Sequence, residues 1–172
     1  LETDKAFAAI NPKADWAFYI QGDEVVHEKY LPTIKAAMLQ FKDDKRVQGF
    51  LLKYLHFYGS YDYVGDSRRW YRQEVRIVRN DKAITSFNDA QGFKYNGKLP
   101  RVKPIDAYMY HYGWVRPPAF QQAKQRDFQK LWHDDKFVKQ NFSDQNDFDY
   151  SKIDSLALFN GTHPQVMQER ID

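Results

Sequence analysis

The period of the apolar positions changes several times along the chain, and each change marks an element. "DWAFYI" (Asp15–Ile20) is a short, uninterrupted apolar and aromatic run, which predicts a strand buried on both faces. From about Tyr30 the period lengthens: Leu31, Ile34, Met38 and Phe41 recur at spacings of three and four, and Pro32 suits a first turn, so a helix is expected. "VQGFLLKYLHFYG" (Val47–Gly59) is aromatic and β-rich and reads as a second strand. Ser60–Arg72 reads as a loop with turn residues at Gly65 and Asp66. Glu74–Asn80 predicts a further strand, "YNGK" (Tyr95–Lys98) a tight Asn-Gly turn, and Ile105–Val115 another aromatic strand. Pro117 and Pro118 stop that strand and open a helix from about Ala119 to Trp132. A polar tail follows, with a short helix around Lys136–Asn141 and one apolar patch, Leu156–Phe159. This order predicts an α/β fold with a mixed sheet flanked by helices. One domain is expected over residues 1–172, with 133–172 a polar C-terminal extension packed on it.

Composition narrows the classes. A chain of 172 residues can bury a full core. Its 26 basic and 23 acidic side chains are too balanced to argue for a nucleic-acid partner on charge alone. The absence of cysteine excludes disulfides, thiolate metal sites and a cysteine nucleophile. No apolar run is long enough to span a bilayer and no secretory signal is visible, so a cytoplasmic protein is expected. Peripheral association with the inner face of a membrane is compatible with that expectation.

Candidate chemistry gathers behind the first strand, in "FYIQGDEVVHE" (Phe18–Glu28). Asp23 and Glu24 lie three and four residues past Ile20, so they should project from the rim of the sheet, where ligands of open α/β sheets collect. Carboxylate oxygens there suit a hard divalent cation, Mg²⁺ or Mn²⁺. Equally, Glu24 and Glu28 could serve the start of the following helix. His111, near the end of the Ile105–Val115 strand, could add an imidazole to an oxygen-rich metal site. His27, His56, His133 and His163 read as structural. "DSRRWYRQEVRIVRN" sets Arg68, Arg69, Arg72, Arg76 and Arg79 around Trp70 and Tyr71. Guanidinium forks match phosphate geometry and the rings can stack on a sugar or base, although at least two of the arginines are expected to be strand-edge residues.

The succession "DWAFYIQGDEVVHE", helix, aromatic strand, "WYRQEVRIVRN", "SFNDAQGFKYNG" and "IDAYMYHYGW" resembles the inverting glycosyltransferases of family 2, over roughly Asp15 to Trp132. The resemblance implies a GT-A-like fold, here partial, and a divalent metal, Mn or Mg. It implies a nucleotide-sugar donor and a glycan or glycolipid acceptor. The family's Asp-x-Asp-like motif falls on Gln21–Glu24: Asp23 matches the metal-ligating aspartate, and Gln21 stands where the first acid would be. His111 matches a second metal ligand. Asp89 is the nearest match to the family's general base, with Glu24 the second candidate. Arg72, Arg76, Trp70 and Tyr71 are the expected substrate-binding residues. Such enzymes carry a nucleotide-binding half ahead of the acidic motif, and only about twenty residues precede Asp23 here, so a chain lacking that half is expected. Two other readings stay open: a non-catalytic carbohydrate-binding module, suggested by the 29 aromatic side chains, and a metal-dependent phosphoester hydrolase using Asp23, Asp89 and His111.

Overall fold

A computed structural model describes residues 2–87, 91–142 and 147–171. In chain order the regular elements are α1 (Glu2–Ala8), β1 (Trp16–Phe18), β2 (Glu24–Val26), α2 (Leu31–Gln40), β3 (Gly49–Tyr58), β4 (Tyr63–Gly65), β5 (Gln73–Arg79), β6 (Ile84–Phe87) and β7 (Gly92–Tyr95). There follow β8 (Val102–Trp114), α3 (Pro118–Gln129), α4 (Asp135–Asn141), β9 (Leu156–Leu158) and α5 (Gln168–Ile171). The described residues cluster as two compact units, where the sequence reading placed one domain with a polar extension. The first comprises residues 1–55, 71–111 and 162–172; the second comprises 56–70 and 112–161. No helix among the described residues is long and apolar enough to cross a membrane.

In the first unit the strand order is β1–β5–β3–β8–β2. β1 and β3 both pair antiparallel with β5, and β2 pairs antiparallel with β8. β3 and β8 run parallel: Gln48 N–H donates to the Arg101 carbonyl at one end, and Lys53 reaches Asp106 further along both strands. The sheet is therefore mixed, as the element order predicts. Alternation sends side chains to two cores. Trp16, Phe50, Leu52, Ile77 and Met109 pack with Ile34 and Ala37 of α2 on one face. Ala17 and Val78 pack with Ile84 and Phe93 of the β6–β7 hairpin on the other, beside Phe7 of α1. Each large apolar side chain removed from water in this way contributes about 1.5–3 kcal/mol. β1 is thus buried on both faces, as its unbroken apolar run predicts.

Differences from the sequence reading are local. β2 forms where a helix start is expected, because Glu24–Val26 can pair with β8 while Glu28–Tyr30 supplies a 3-10 turn ahead of α2. The β6–β7 hairpin is too short to produce a readable alternation. The Asn-Gly turn after it is present, with Asn96 and Gly97 at φ of 48° and 73°, the left-handed pair that such a turn requires. β4 forms inside the expected Ser60–Arg72 loop.

His27 shows why the histidine at the helix start is structural. Its buried ring accepts the Lys29 N–H at Nδ1 and meets the Thr162 hydroxyl at Nε2. Burial pushes the imidazole below its ordinary value of 6.5, outweighing the opposite pull of Glu28. The folded form thus disfavours the proton relative to the unfolded chain. Stability from this group is complete above pH 6.5 and is lost as the pH falls below it. Thermal melts from pH 7.5 to 5.0 are expected to show a falling Tm that flattens in His27→Gln; identical profiles in both proteins would refute the assignment.

The second unit holds β4 paired with β9, the helices α3 and α4, and the C-terminal ends of β3 and β8. Phe57, fully buried, stacks on Tyr112 with centroids 4.7 Å apart and meets the edge of Phe159. Trp70 lies against Gly65, in the space that any side chain at that position would need, and stacks on His56. His56 is accordingly a core residue, as expected.

Candidate functional site

The site is built around a buried charge pair in the first unit. Glu24 opens β2 directly after a turn closed by its own N–H donating to the Gln21 carbonyl, 3.0 Å. Across the sheet, the register of β3 and β5 slips between Phe50 and Leu51, so that Arg76 becomes the extra residue of a β-bulge. Bulges re-aim side chains. Here the Arg76 guanidinium meets the Glu24 carboxylate through Nε at 3.1 and 3.2 Å and Nη2 at 2.8 Å. The same carboxylate accepts the Tyr54 hydroxyl at 2.6 Å and the Gln21 N–H at 3.0 Å. Both charged side chains are almost wholly out of water, 0% and 1% exposed. Arg76 also donates to the Gln91 carbonyl and lies over the rings of Tyr19 and Tyr54. Burial pushes the Tyr54 phenol far above its ordinary value, so it stays a donor.

The enclosure of this pair does not suit two roles expected from the sequence. Arg76 is read from sequence as a substrate grip, but its fork is turned inward and taken by Glu24, Gln21 and the Gln91 carbonyl. Glu24 is read as a second candidate base, but its carboxylate is enclosed and accepts from two side chains and one backbone group. Both are positioning residues. They fix the Gln21–Glu24 turn on which Asp23 sits.

Asp23 and His111, 88 positions apart in the chain, come together as the sequence reading requires. β2 and β8 pair in a register that sets Glu24 opposite His111, and Asp23 Oδ2 lies 3.7 Å from His111 Nε2. Their side chains are 25% and 12% exposed, so a small ligand can reach the pair. Neighbouring ligands on an octahedral Mg²⁺ or Mn²⁺ lie about 3 Å apart at metal–ligand distances near 2.1 Å. An oxygen and a nitrogen at 3.7 Å fit such an ion after a small side-chain adjustment. No group of three or more side chains able to ligate a metal converges among the described residues.

Tyr71 and Glu74 border the same region. Tyr71 meets the edge of Tyr54, and burial pushes its phenol up to about 12. Burial also raises the Glu74 carboxyl, against the pull of Arg76. Glu74 was not singled out from the sequence; its one signal is the two-residue spacing from Arg76 within a strand. Gln21 stands beside Arg76 and Tyr19. Arg72 is exposed and contributes its carbonyl to the Tyr54 N–H. Asp89 lies outside the described residues. Arg79 is structural: it donates to four backbone carbonyls, of Phe41, Lys42, Asp44 and Val47.

Trp70 belongs to the second unit. There it lines a cavity of about 600 Å³ with Tyr58, Trp114, Phe148, Gln122 and Asn141. Aromatic faces combined with a few amide and charged groups at that volume match the general make-up of small-molecule sites. No family model matches the chain, and no curated protein matches it significantly.

Proposed function

We propose that this protein carries the metal- and acceptor-side site of a GT-A-type glycosyltransferase that moves a sugar from a nucleotide-sugar donor to a glycan or glycolipid acceptor. The observation that supports it best is the Asp23–His111 pair on the rim of a mixed sheet, held in place by the enclosed Glu24–Arg76 pair. Asp23 and His111 would hold Mn²⁺ or Mg²⁺. When bound, the ion offsets the charge that develops on a departing nucleoside diphosphate. Gln21 has an amide suited to a ribose hydroxyl. Tyr71 presents a phenol that remains protonated at neutral pH and can donate to a sugar or phosphate oxygen. In an inverting transfer a base removes the acceptor hydroxyl's proton as the diphosphate leaves from the opposite face. Asp89 is our candidate for that base.

The test is binding before turnover. Mn²⁺ together with a nucleoside diphosphate is expected to raise Tm by roughly 5–10 °C when present at about 100 times its Kd. Asp23→Ala and His111→Ala should abolish the shift while leaving the unliganded Tm close to that of the native chain. No shift with Mn²⁺ and any of the uridine, guanosine, adenosine or cytidine diphosphates would overturn the proposal. A second reading, a carbohydrate-binding module, is favoured by the aromatic cavity of the second unit. It requires glycan binding that persists in chelator and in Asp23→Ala.

A further inference from the structure

α3 inverts the usual burial pattern of a surface helix, whereas α4 buries Val138 in the ordinary way. Such helices turn apolar side chains to the core and polar ones to water. In α3 the one buried residue is Gln121, whose side-chain amide has no hydrogen-bond partner among the described residues. The large apolar side chains face outward: Phe120 is 69% exposed, Phe128 48%, Leu131 68%, Trp132 61% and Phe137 of α4 40%. Phe120 and Phe128 lie about 80° apart at the helical repeat of α3, a stripe followed by Leu131 and Trp132 in the turns just past its end. Single exposed apolar residues need no explanation, but five within eighteen positions do.

Charge has the same address. Residues 116–142 hold six basic and three acidic side chains, a local excess of three cations, with Asp144, Asp147 and Asp149 following in the sequence. One of the three acids, Asp127, is taken by Lys130 and Arg126, and another, Asp134, caps α4. Lys136 and Lys139 make no ion pair among the described residues. Four of the six cations are lysines. Protein interfaces are poor in lysine, whereas a lysine beside Trp, Leu and Phe is suited to a lipid surface, where its stem lies along apolar matter and its head meets an anionic headgroup.

We propose that α3, Leu131–Trp132 and α4 form a docking surface for a membrane bearing anionic lipid. The apolar side chains enter the headgroup region and the lysines bind its charge. The surface belongs to the second unit and does not rest on the sugar-transfer reading.

The full chain is sedimented with vesicles of phosphatidylcholine alone, and with vesicles containing about one third phosphatidylglycerol. Binding is expected only with the anionic lipid, weakening as salt is raised, with a blue shift of tryptophan emission that Trp132→Phe removes. Lys136→Ala with Lys139→Ala should weaken binding about 25-fold, near fivefold for each cation. Leu131→Glu with Trp132→Glu should abolish it, and its unchanged Tm and circular dichroism would show that folding is intact. Binding equal on both lipids, or absent from both, would overturn the proposal. So would a concentration-dependent dimer that the Leu131→Glu and Trp132→Glu variant dissolves, since the stripe would then be covered by a second copy of the chain.

Discussion

Glu24→Ala is expected to destabilise the protein by about 3–5 kcal/mol, because it strands a guanidinium that is out of water. The magnitude follows from an asymmetry. Glu24 and Arg76 each surrender hydration, and their mutual attraction roughly repays that loss as long as both are present. Removing the acid leaves the desolvation of Arg76 uncompensated and takes away the Tyr54 hydroxyl's acceptor at 2.6 Å. For a chain of this size the change corresponds to a fall in Tm of roughly 10 °C. Arg76→Met should cost a comparable amount. The double replacement Glu24→Leu with Arg76→Met should recover most of the loss, since buried pairs can often be exchanged for apolar side chains at little cost. Urea unfolding of the four proteins supplies the cycle. Single replacements that each cost under about 1 kcal/mol would mean that water reaches the pair. The recovered double variant would also separate stability from the proposed function: it keeps the fold but loosens the Gln21–Glu24 turn, so the Mn²⁺ response that the proposal predicts should weaken while its Tm returns.

Arg79→Ala is the second large effect, expected at about 3 kcal/mol or more. The Arg79 guanidinium lies 4.0 Å from the Trp16 ring centroid and ties Phe41, Lys42, Asp44 and Val47 through their carbonyls at 2.5–2.8 Å. Each hydrogen bond to a charged group contributes roughly 1.5–3 kcal/mol, less where water can replace it. Lysine cannot restore the set, because one ammonium lacks the planar fork that reaches carbonyls on several sides. Arg79→Lys should therefore remain at least half as destabilised as Arg79→Ala. Amide hydrogen exchange should show the loss of protection concentrated in residues 41–47. Uniform loss across the sheet would argue against a local clasp.

Much of the framework was legible in the sequence because it rests on long periodic runs. α2, β3, β5, β8, α3 and α4 all fall within a few residues of the expected limits. The convergence of Asp23 and His111 was legible only in part: both were expected near strand ends, but the contact is made by the antiparallel pairing of β8 with β2, a strand the sequence reading did not contain. What stayed hidden depends on a single-residue irregularity. Nothing in "EVRIVRN" announces a bulge at Arg76, and without the bulge a strand-borne arginine reads as a substrate grip. Glu24 was ambiguous because a carboxylate beside a candidate metal position looks the same in sequence whether it faces solvent or an inward arginine. The short strands β2, β4 and β9 are three residues each, too brief to show a period, and are specified by their partners. The inverted face of α3 was in view as letters, but only the fold says which side of a helix is turned away from water.

The parallel pairing of β3 with β8 has a consequence for synthesis. β5 can join β3 as soon as residue 79 has emerged, but the opposite edge of β3 stays open until β8 is made, more than thirty residues later. At roughly 5–20 residues per second a nascent chain would present the backbone of "GFLLKY" unpaired for seconds. That edge is β-rich and carries one charge, Lys53, which in the finished sheet meets Asp106 of the late-arriving strand. Ribosome-bound chains ending before Val102 should therefore depend on chaperones, and those extended beyond Trp114 should be released from that dependence.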